Sequence, residues 1–253
     1  MISSNTIKFI KLLQQKKFRK ESGLFVAEGH RLVIDLLNSD LKIDSIYSVG
    51  DWGLENNIFN VNHEQISERE MSRISGLTTP SQVLALVKIP SLQINIENVK
   101  DSLTLALDDI QDPGNLGTII RLSDWFGIET VFCSSGTTDA YSPKVVQATM
   151  GAIARVRIVY SDIKMLISNA NQQSIPVYGT FLNGENIYSS QLTGNGIVVM
   201  GNEGNGISDE IGKLIPNRLT IPSFAEKGNG SESLNVAMAT AIVCSEFKRR
   251  AIP

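Results

Sequence analysis

The chain has 253 residues, of which 42% are hydrophobic and 19% charged, so it is expected to bury a core and does not resemble a disordered protein. No apolar run reaches the ~18 residues of a membrane-spanning helix, and the basic N-terminus lacks the continuous apolar segment of a secretory signal, so a cytoplasmic location is expected. The formal net charge of −3 argues, taken alone, against a nucleic-acid partner, because phosphate contacts require Lys and Arg.

Positive charge is nevertheless concentrated in two short stretches. The first contains Lys8, Lys11, Lys16, Lys17, Arg19 and Lys20, and the second contains Lys248, Arg249 and Arg250. Local basic patches indicate a nucleic-acid partner better than the total charge does. Charge alone is equally consistent with two solvated helix faces, so both interpretations stay open at this point.

Cysteine and histidine are too sparse to indicate a metal site. Cys133 and Cys244 lie far apart in apolar segments and form no Cys-x-x-Cys pair, and His30 and His63 stand alone, with no Cys/His ligand cluster. No metal is therefore expected, and both thiols are predicted to be buried and reduced.

The first part of the chain is predicted to form one small α/β unit. Apolar side chains recur at helical spacing in some segments and run continuously in others. A polar, interrupted stretch at residues 90–102 then indicates a linker, so a first domain is expected over residues 1–95. The predicted elements are a basic helix over 5–21, a strand and a helix over 25–39, a strand over 44–50, a helix over 64–75 and a strand over 83–89.

From residue 103 onward, apolar strands alternate with helices. This pattern is typical of an α/β domain with a mainly parallel sheet covered on both faces, expected over residues 103–253. The predicted strands cover residues 103–109, 129–135, 155–160, 175–181, 196–201 and 218–222, and the predicted helices cover 117–127, 142–152, 162–173, 208–215 and 233–250.

The loop after the first of these strands, residues 108–121, has the features of an anion site. Asn115 is expected to cap a helix that begins near Leu116 or Gly117. Arg121 follows Gly117 by four residues and therefore lies one turn further along the same helix face. A helix N-terminus with an arginine one turn away can bind an anion, but the spacing alone favours an ordinary capped loop with a surface arginine.

Two later loops also follow strands, where ligands bind in open α/β sheets. The loop at 198–208 contains Gly201, Gly204 and Gly206, whose order does not match the dinucleotide fingerprint. So many glycines favour a closely approaching ligand slightly over a plain tight turn. In the third loop, at 221–240, Ser233 or Asn235 can simply cap the last helix.

Together the three loops resemble the motifs of the SpoU/TrmH family of RNA ribose methyltransferases. The Asn-x-Gly-x-x-x-Arg pattern is matched by Asn115, Gly117 and Arg121; Gly-x-Glu-Gly by Gly201, Glu203 and Gly204; and Ser-Leu-Asn-Val by residues 233–236. Residues 19–33 resemble the family's substrate-binding domain, so the likeness covers nearly the whole chain. Two features depart from the family pattern: the loop at 223–232 is longer and carries Glu226 and Glu232, and Ala237 stands where Ser is frequent.

The resemblance implies a SPOUT-type parallel sheet with a C-terminal trefoil knot, a homodimer with the last helix at its interface, and S-adenosyl-L-methionine as cofactor. Methyl transfer to a ribose 2′-hydroxyl is the implied reaction, with ribosomal RNA preferred over transfer RNA as substrate. The implied catalytic residues are Asn115, Arg121, Glu203, Ser233 and Asn235. The implied cofactor-binding residues are Thr180, Gly201, Asn202, Gly204, Ile221, Leu234 and Asn235. The implied RNA-binding residues are Lys16, Lys17, Arg19, Lys20 and Arg31.

Arg121 is the family's catalytic arginine. A guanidinium normally stays protonated, so Arg121 is expected to hold a phosphate or favour a developing alkoxide rather than act as a conventional base, with Glu203 orienting it or contacting substrate. Two other functions stay open. One is a nucleotide- or NAD-dependent enzyme that uses the glycine-rich loop; the other is a catalytically inactive RNA-binding protein or assembly factor on the same fold.

Overall fold

The structure is a computed structural model and describes residues 1–56, 61–92, 96–225 and 233–251. The chain divides into two compact units. The first contains Met1–Ser91 together with Asp139–Arg155, and the second contains Leu92–Thr138 together with Val156–Pro253. The first unit thus includes a segment from the middle of the chain. No described helix is both long and apolar enough to cross a bilayer.

Helices and strands follow one another along the chain much as predicted. Up to residue 91 they are α1 Ser4–Leu12, α2 Lys16–Ser22, β1 Leu24–Glu28, α3 His30–Leu37, β2 Ile43–Ser48, α4 Trp52–Glu55, β3 His63–Gln65, α5 Glu68–Ile74 and β4 Val83–Lys88. After residue 95 they are β5 Leu103–Leu107, α6 Pro113–Trp125, β6 Thr130–Cys133, α7 Pro143–Ala148, β7 Arg157–Tyr160, α8 Ile163–Gln172, β8 Val177–Asn186, β9 Gly196–Met200, α9 Asp209–Gly212, β10 Asn217–Thr220 and α10 Val236–Ala251, with short 3-10 turns at Ile96–Val99 and Ala152–Ala154.

The sheet of the first unit has the order β1-β4-β2-β3. Strand β4 is antiparallel to both of its neighbours, and β2 and β3 are parallel. One face packs on α1 and α5, and this core includes Ile10, Leu13 and Met71. Helices α1 and α5 each bury their apolar face against the sheet, as expected for amphipathic helices.

Two predicted helices of the first unit are shorter than expected. The helix predicted over 5–21 is interrupted: α1 ends at Leu12, and Gln15 takes an extended conformation before α2 starts. The helix predicted over 64–75 starts only after β3. Ser67 fixes that start with a capping box, in which its hydroxyl accepts from the Glu70 amide and the Glu70 carboxylate accepts from the Ser67 amide.

The sheet of the second unit has the order β10-β8-β9-β5-β6-β7, and every neighbouring pair is parallel. This confirms the predicted parallel sheet. The central strands β5 and β9 are buried at every position, which explains their continuous apolar sequences. Both cysteines are free and buried, as predicted, and burial raises the pKa of the Cys244 thiol to about 12.

Strand β8 is irregular where it meets β10. Arg218 pairs with Gly179, but the next residue, Leu219, pairs with Glu185. The intervening residues 180–184 therefore leave the ladder. Gly184 allows the chain to return, since a Cβ there would lie 2.7 Å from the Arg218 carbonyl oxygen.

Candidate functional site

Helix α6 begins at Pro113, earlier than expected, and its N-cap is Asp112. The Asp112 carboxylate accepts from the Asn115 amide at 2.8 Å. The expectation that Asn115 caps the helix is therefore wrong. An Asp-Pro pair provides both a preferred cap and a preferred first helical residue, and it leaves the Asn115 side chain available for other contacts.

The Asn115 side chain joins all three sequence motifs. Its amide nitrogen donates to Glu203 Oε1 at 2.9 Å, and its amide oxygen accepts from Asn235 Nδ2 at 2.9 Å. Residues that are 88 and 120 positions away from Asn115 in sequence are thus linked in one hydrogen-bonded chain. The family resemblance implies this convergence, and it is consistent with the fold, since loops that follow strands of one parallel sheet lie at the same edge of the sheet.

Asn235 has two roles at the start of α10. Its Oδ1 accepts from the amides of Ala237 and Met238 at 3.0 and 3.3 Å, so it is the N-cap of the helix. The capping interpretation is therefore correct for Asn235, and it also fixes the amide group that reaches Asn115. Ser233 is exposed, and no described residue forms a hydrogen bond with it. The loop segment with Glu226 and Glu232 lies outside the described residues.

The glycine-rich loop folds back on itself. Asn202 and Gly206 form a reciprocal pair of backbone hydrogen bonds at 2.9 Å, and the Asn202 side chain accepts from the Gly204 amide. A Cβ on Gly201 would lie 2.2 Å from the Gly206 carbonyl carbon, whereas one on Gly204 would find ordinary space. The tight turn therefore accounts for Gly201, whereas Gly204 and Gly206 leave room beside their backbone; the φ of 69° at Gly206 itself favours glycine.

Arg121 is exposed on α6 and has no hydrogen-bond or ion-pair partner among the residues that the structure describes. Glu203, which was expected to orient it, instead accepts from Asn115 and, at 3.5 Å, from the Gln111 amide. A long cationic side chain without an internal partner is available to a ligand, particularly to a phosphate or another anion.

Two neighbouring aspartates at the end of β5 position the glycine-rich loop, and the motif analysis did not include them. Buried Asp108 accepts from the Ser208 amide at 2.8 Å, and the Asp109 carbonyl accepts from Asn202 Nδ2 at 2.7 Å. Asp109 has a φ of 62°, a left-handed conformation that is unfavourable outside glycine. The sequence feature that could have indicated this role is the pair of consecutive aspartates directly after the buried strand β5.

Most of the predicted cofactor residues lie on the adjacent strands β9, β8 and β10 or just after them, and Leu234 and Asn235 lie directly before α10. The half-buried Thr180 hydroxyl lies 3.7 Å from the Met200 sulfur, and Ile221 directly follows β10. Leu234 is 52% exposed although it is a large apolar side chain. Backbone groups at strand ends together with exposed apolar side chains suit the adenosine part of S-adenosylmethionine, so these residues fit the implied cofactor.

The predicted RNA-binding residues of the first unit fall into two groups. Lys16, Lys17, Lys20 and Arg31 are exposed. Arg19 is only 3% exposed; its guanidinium donates to the Asp139 carboxylate at 2.6 and 3.0 Å and to the Leu13 carbonyl at 2.7 Å. Arg19 is therefore a structural residue in this unit, and its burial argues against the phosphate contact that the sequence suggested.

Comparison with known proteins agrees with this arrangement. The profile of the SpoU rRNA Methylase family matches residues 102–245, and that of the MRM3-like substrate binding domain matches residues 4–85. The 23S rRNA (guanosine(2553)-2′-O)-methyltransferase RlmP of Bacillus subtilis is 28% identical over 239 residues, which cover 94% of this chain and 93% of the relative.

Solved structures resemble the whole chain. A protein of Porphyromonas gingivalis assigned to the TrmH family of RNA methyltransferases is 40% identical, with a TM-score of 0.91 and 99% of both chains covered. The AdoMet-bound rRNA methyltransferase of Sinorhizobium meliloti is 28% identical, with a TM-score of 0.85, and covers 100% of this chain and 97% of its own. The three joined motifs and these matches lead to one conclusion: this chain belongs to the SpoU rRNA methylase family.

Proposed function

We propose that this protein transfers the methyl group of S-adenosyl-L-methionine to a ribose 2′-hydroxyl in ribosomal RNA. The observation that carries the proposal is the hydrogen-bonded chain Glu203–Asn115–Asn235, with the unpartnered Arg121 on the same helix as Asn115. The relatives support it, since two of them are named as guanosine 2′-O-methyltransferases of 23S rRNA.

The reaction requires alignment of the reactants and removal of one proton. The cofactor supplies a methyl group on a positively charged sulfur, which is a good leaving group. This chain has to place a 2′-hydroxyl in line with that methyl group and to make the loss of its proton easier. Hydrogen bonds to Glu203 and Asn235 fix the Asn115 side chain, so it offers a polar group of fixed orientation for this placement.

Arg121 is proposed as the electrostatic group. Because a guanidinium keeps its proton at neutral pH, it stabilises the negative charge that develops on the 2′-oxygen, or holds the adjacent phosphate. Neither role requires a proton to leave Arg121. Because no residue in the described part of the chain pairs with it, its donors are available to the RNA. Ser233, which is exposed beside Asn235, is a second donor for the ribose.

Cofactor binding is proposed at the ends of β8, β9 and β10. Backbone groups around Gly201 and Ile221 would hold the adenine, and Leu234 would cover its ring; the remaining residues proposed for this pocket are Thr180, Asn202, Gly204 and Asn235. We also propose that the C-terminal part of the domain is threaded as a trefoil knot, as the family resemblance implies.

A homodimer is proposed through α6 and α10. These helices pack on each other and carry two exposed large side chains, Trp125 at 83% and Met238 at 54%. A second copy would remove this apolar surface from water. Sedimentation analysis tests it: the wild type is expected to be dimeric, and Trp125→Ser to shift the equilibrium toward the monomer. A monomeric wild type would contradict it.

Contact with RNA outside the reaction centre is proposed for the domain over residues 1–95, and catalysis for residues 103–253 apart from Asp139–Arg155, which belong to the first compact unit. Exposed Lys16, Lys17 and Lys20 on α2 supply salt-dependent phosphate contacts. A cytoplasmic location, where ribosomal RNA is accessible and thiols stay reduced, is consistent with free Cys133 and Cys244.

The proposal is tested by incubating the protein with unmodified 23S rRNA transcript and S-adenosylmethionine carrying a labelled methyl group. The expected product is a 2′-O-methylated nucleotide, recognised because the adjoining phosphodiester resists alkaline cleavage. Label on a base would exclude the ribose as acceptor. RNA binding without any transfer would favour the catalytically inactive RNA-binding protein instead.

A further inference from the structure

We propose that the turn at Met150 and the first turn of α3 form one RNA-contacting surface of the first unit, with Met150 as its apolar contact and Arg31 as its phosphate contact. This inference rests on the proposed function, because it assumes an RNA substrate. It assigns part of that recognition to a segment, Asp139–Arg155, that belongs to the first compact unit although it lies between β6 and β7 in sequence.

Met150 combines two unfavourable features. It has a φ of 51°, in the left-handed region, and its side chain is 65% exposed. The residue that follows a helix C-cap in this conformation is usually glycine, because a Cβ there is strained. Met150 occupies this position after α7, so neither burial nor local conformational preference explains a methionine. Such outliers persist where the surroundings hold them, and they are frequent at functional sites.

The surroundings hold the turn firmly. The Met150 amide donates to the Gln147 carbonyl at 3.2 Å, and the buried Thr149 hydroxyl donates to the Val146 carbonyl at 2.7 Å. Gly151 follows with a φ of 94°, and a Cβ on it would lie 1.9 Å from Asp35 Oδ2. The direction of the Met150 side chain into solvent is therefore fixed by the fold.

The same turn runs along the start of α3. Gln147 Nε2 donates to the Glu28 carbonyl at 2.7 Å, and Arg155 lies 3.5 Å from the Asp35 carboxylate. Arg31 is one turn before Asp35 and so lies on the same face of α3. It is exposed and has no hydrogen-bond or ion-pair partner within the described parts of the chain. The apolar Met150 side chain and the Arg31 cation thus lie on the two segments that these contacts join.

This combination fits RNA better than it fits a protein surface. Proteins read RNA mainly at unstacked bases, whose faces accept apolar or polarisable side chains while nearby cations bind the phosphates. The Met150 thioether is polarisable and makes favourable contacts with aromatic rings. Asp35, the acidic side chain that lies against this turn, is paired with Arg155, so Arg31 gives the surface its positive charge.

The decisive variant is Met150→Gly, which removes the side chain and also relieves the backbone strain. The matched control is Ser174→Gly, since Ser174 is exposed and has a φ of 57° in the second unit. Both variants are expected to unfold at a temperature no lower than the wild type, because glycine accepts positive φ. Only Met150→Gly is expected to weaken binding of unmodified 23S rRNA transcript, by about 2- to 10-fold, with S-adenosylmethionine affinity unchanged.

Arg31→Ala tests the charge of the surface against Arg157→Ala, which removes an exposed arginine of β7. Arg31→Ala is expected to reduce the slope of log K for RNA binding against log salt concentration by about one, and Arg157→Ala is expected to leave this slope unchanged. Wild-type RNA affinity in both Met150→Gly and Arg31→Ala would overturn the inference, as would a change in oligomeric state without a change in RNA affinity. If the wild type methylates the transcript in that case, the proposed function stands and only this surface is wrong. A wild type that binds no RNA would overturn both.

Discussion

Two arginines, one in each unit, differ in what their guanidinium groups bind. In the second unit, Arg121 extends from α6 into solvent beside a rigid hydrogen-bonded chain, and no described residue pairs with it. In the first unit, Arg19 lies in the middle of a basic stretch, yet it is buried, and its guanidinium is occupied by Asp139 and Leu13. Both side chains carry the same charge. They differ in whether their N–H donors are already hydrogen-bonded within the protein.

This contrast indicates how to read a basic sequence in this family. An arginine whose donors are all occupied inside the protein holds elements together, and its loss leaves a buried partner unpaired. An arginine whose donors are unoccupied costs little to expose and is available to a substrate. Loss of Arg19 should therefore affect folding, and loss of Arg121 should affect chemistry. Four measurements test this division.

The largest effect is expected for Arg19→Ala. Removing the guanidinium leaves the Asp139 carboxylate, whose side chain is 15% exposed, without its partner, and this should cost about 3–5 kcal/mol of unfolding free energy. Urea unfolding measures the loss. Lys20→Ala, which removes an exposed neighbour, serves as control and should change the unfolding free energy by less than about 0.5 kcal/mol. Equal losses of unfolding free energy in the two variants would contradict a structural role that is specific to Arg19.

Arg121→Ala should lower the rate of methyl transfer by roughly 10²- to 10³-fold, because the developing negative charge loses its preorganised donor. Cofactor affinity and unfolding free energy should stay nearly unchanged, because Arg121 makes no internal contact with the described residues. Single-turnover kinetics and calorimetry measure the two quantities. Loss of cofactor binding, or normal turnover, would show that Arg121 has been assigned the wrong role.

Two adjacent arginines of α10 give a sharper comparison. Arg250 donates to the backbone carbonyls of Ile187 and Tyr188 at 3.0 and 2.7 Å and also contacts the Ser190 carbonyl. Arg249 is 65% exposed, and Glu246 is its one partner among the described residues. Arg250→Ala should therefore cost about 1–3 kcal/mol, and Arg249→Ala about 0–1 kcal/mol. Thermal and urea unfolding compare them directly. The reverse order would mean that occupied donors do not predict stability here.

The smallest effect concerns acid pH. Hydrogen bonds from Arg249, and then from Arg250, lower the pKa of Glu246 to about 2. A carboxylate with a lowered pKa stabilises the fold above its unfolded pKa, so this contribution should be lost as pH falls from about 5 toward 2. Solvent screening of Arg249 limits it to on the order of 1–2 kcal/mol. In Glu246→Gln, unfolding free energy should depend less on pH in this range, and an unchanged slope would contradict the assignment.

Much of this molecule follows from its sequence, because apolar periodicity depends on local geometry. Continuous apolar runs predicted the central strands β5 and β9, and helical spacing predicted α3 and α8. The resemblance of the three motifs to the SpoU/TrmH family also implied that Asn115, Glu203 and Asn235 belong to one site. Loops at the carboxyl ends of parallel strands lie at one edge of the sheet, which is consistent with this grouping.

Other features depend on which partner a side chain meets, and sequence does not show this. Nothing in the basic stretch marks Arg19 as different from Lys17 or Lys20, since its partner Asp139 is 120 residues away. Glu203 was expected beside Arg121, yet Asn115 takes its carboxylate because Asp112 caps α6 and frees the Asn115 side chain. The break between α1 and α2, where Gln15 takes an extended conformation, is likewise not marked in the basic stretch.

The most direct test of the central claim is a map of 2′-O-methylated positions in ribosomal RNA from cells that lack this gene. One ribose methylation is expected to disappear, to return when the wild-type gene is restored, and to stay absent when the restored gene carries Arg121→Ala. A map that is unchanged by deletion, or a missing methyl group that lies on a base, would contradict the account.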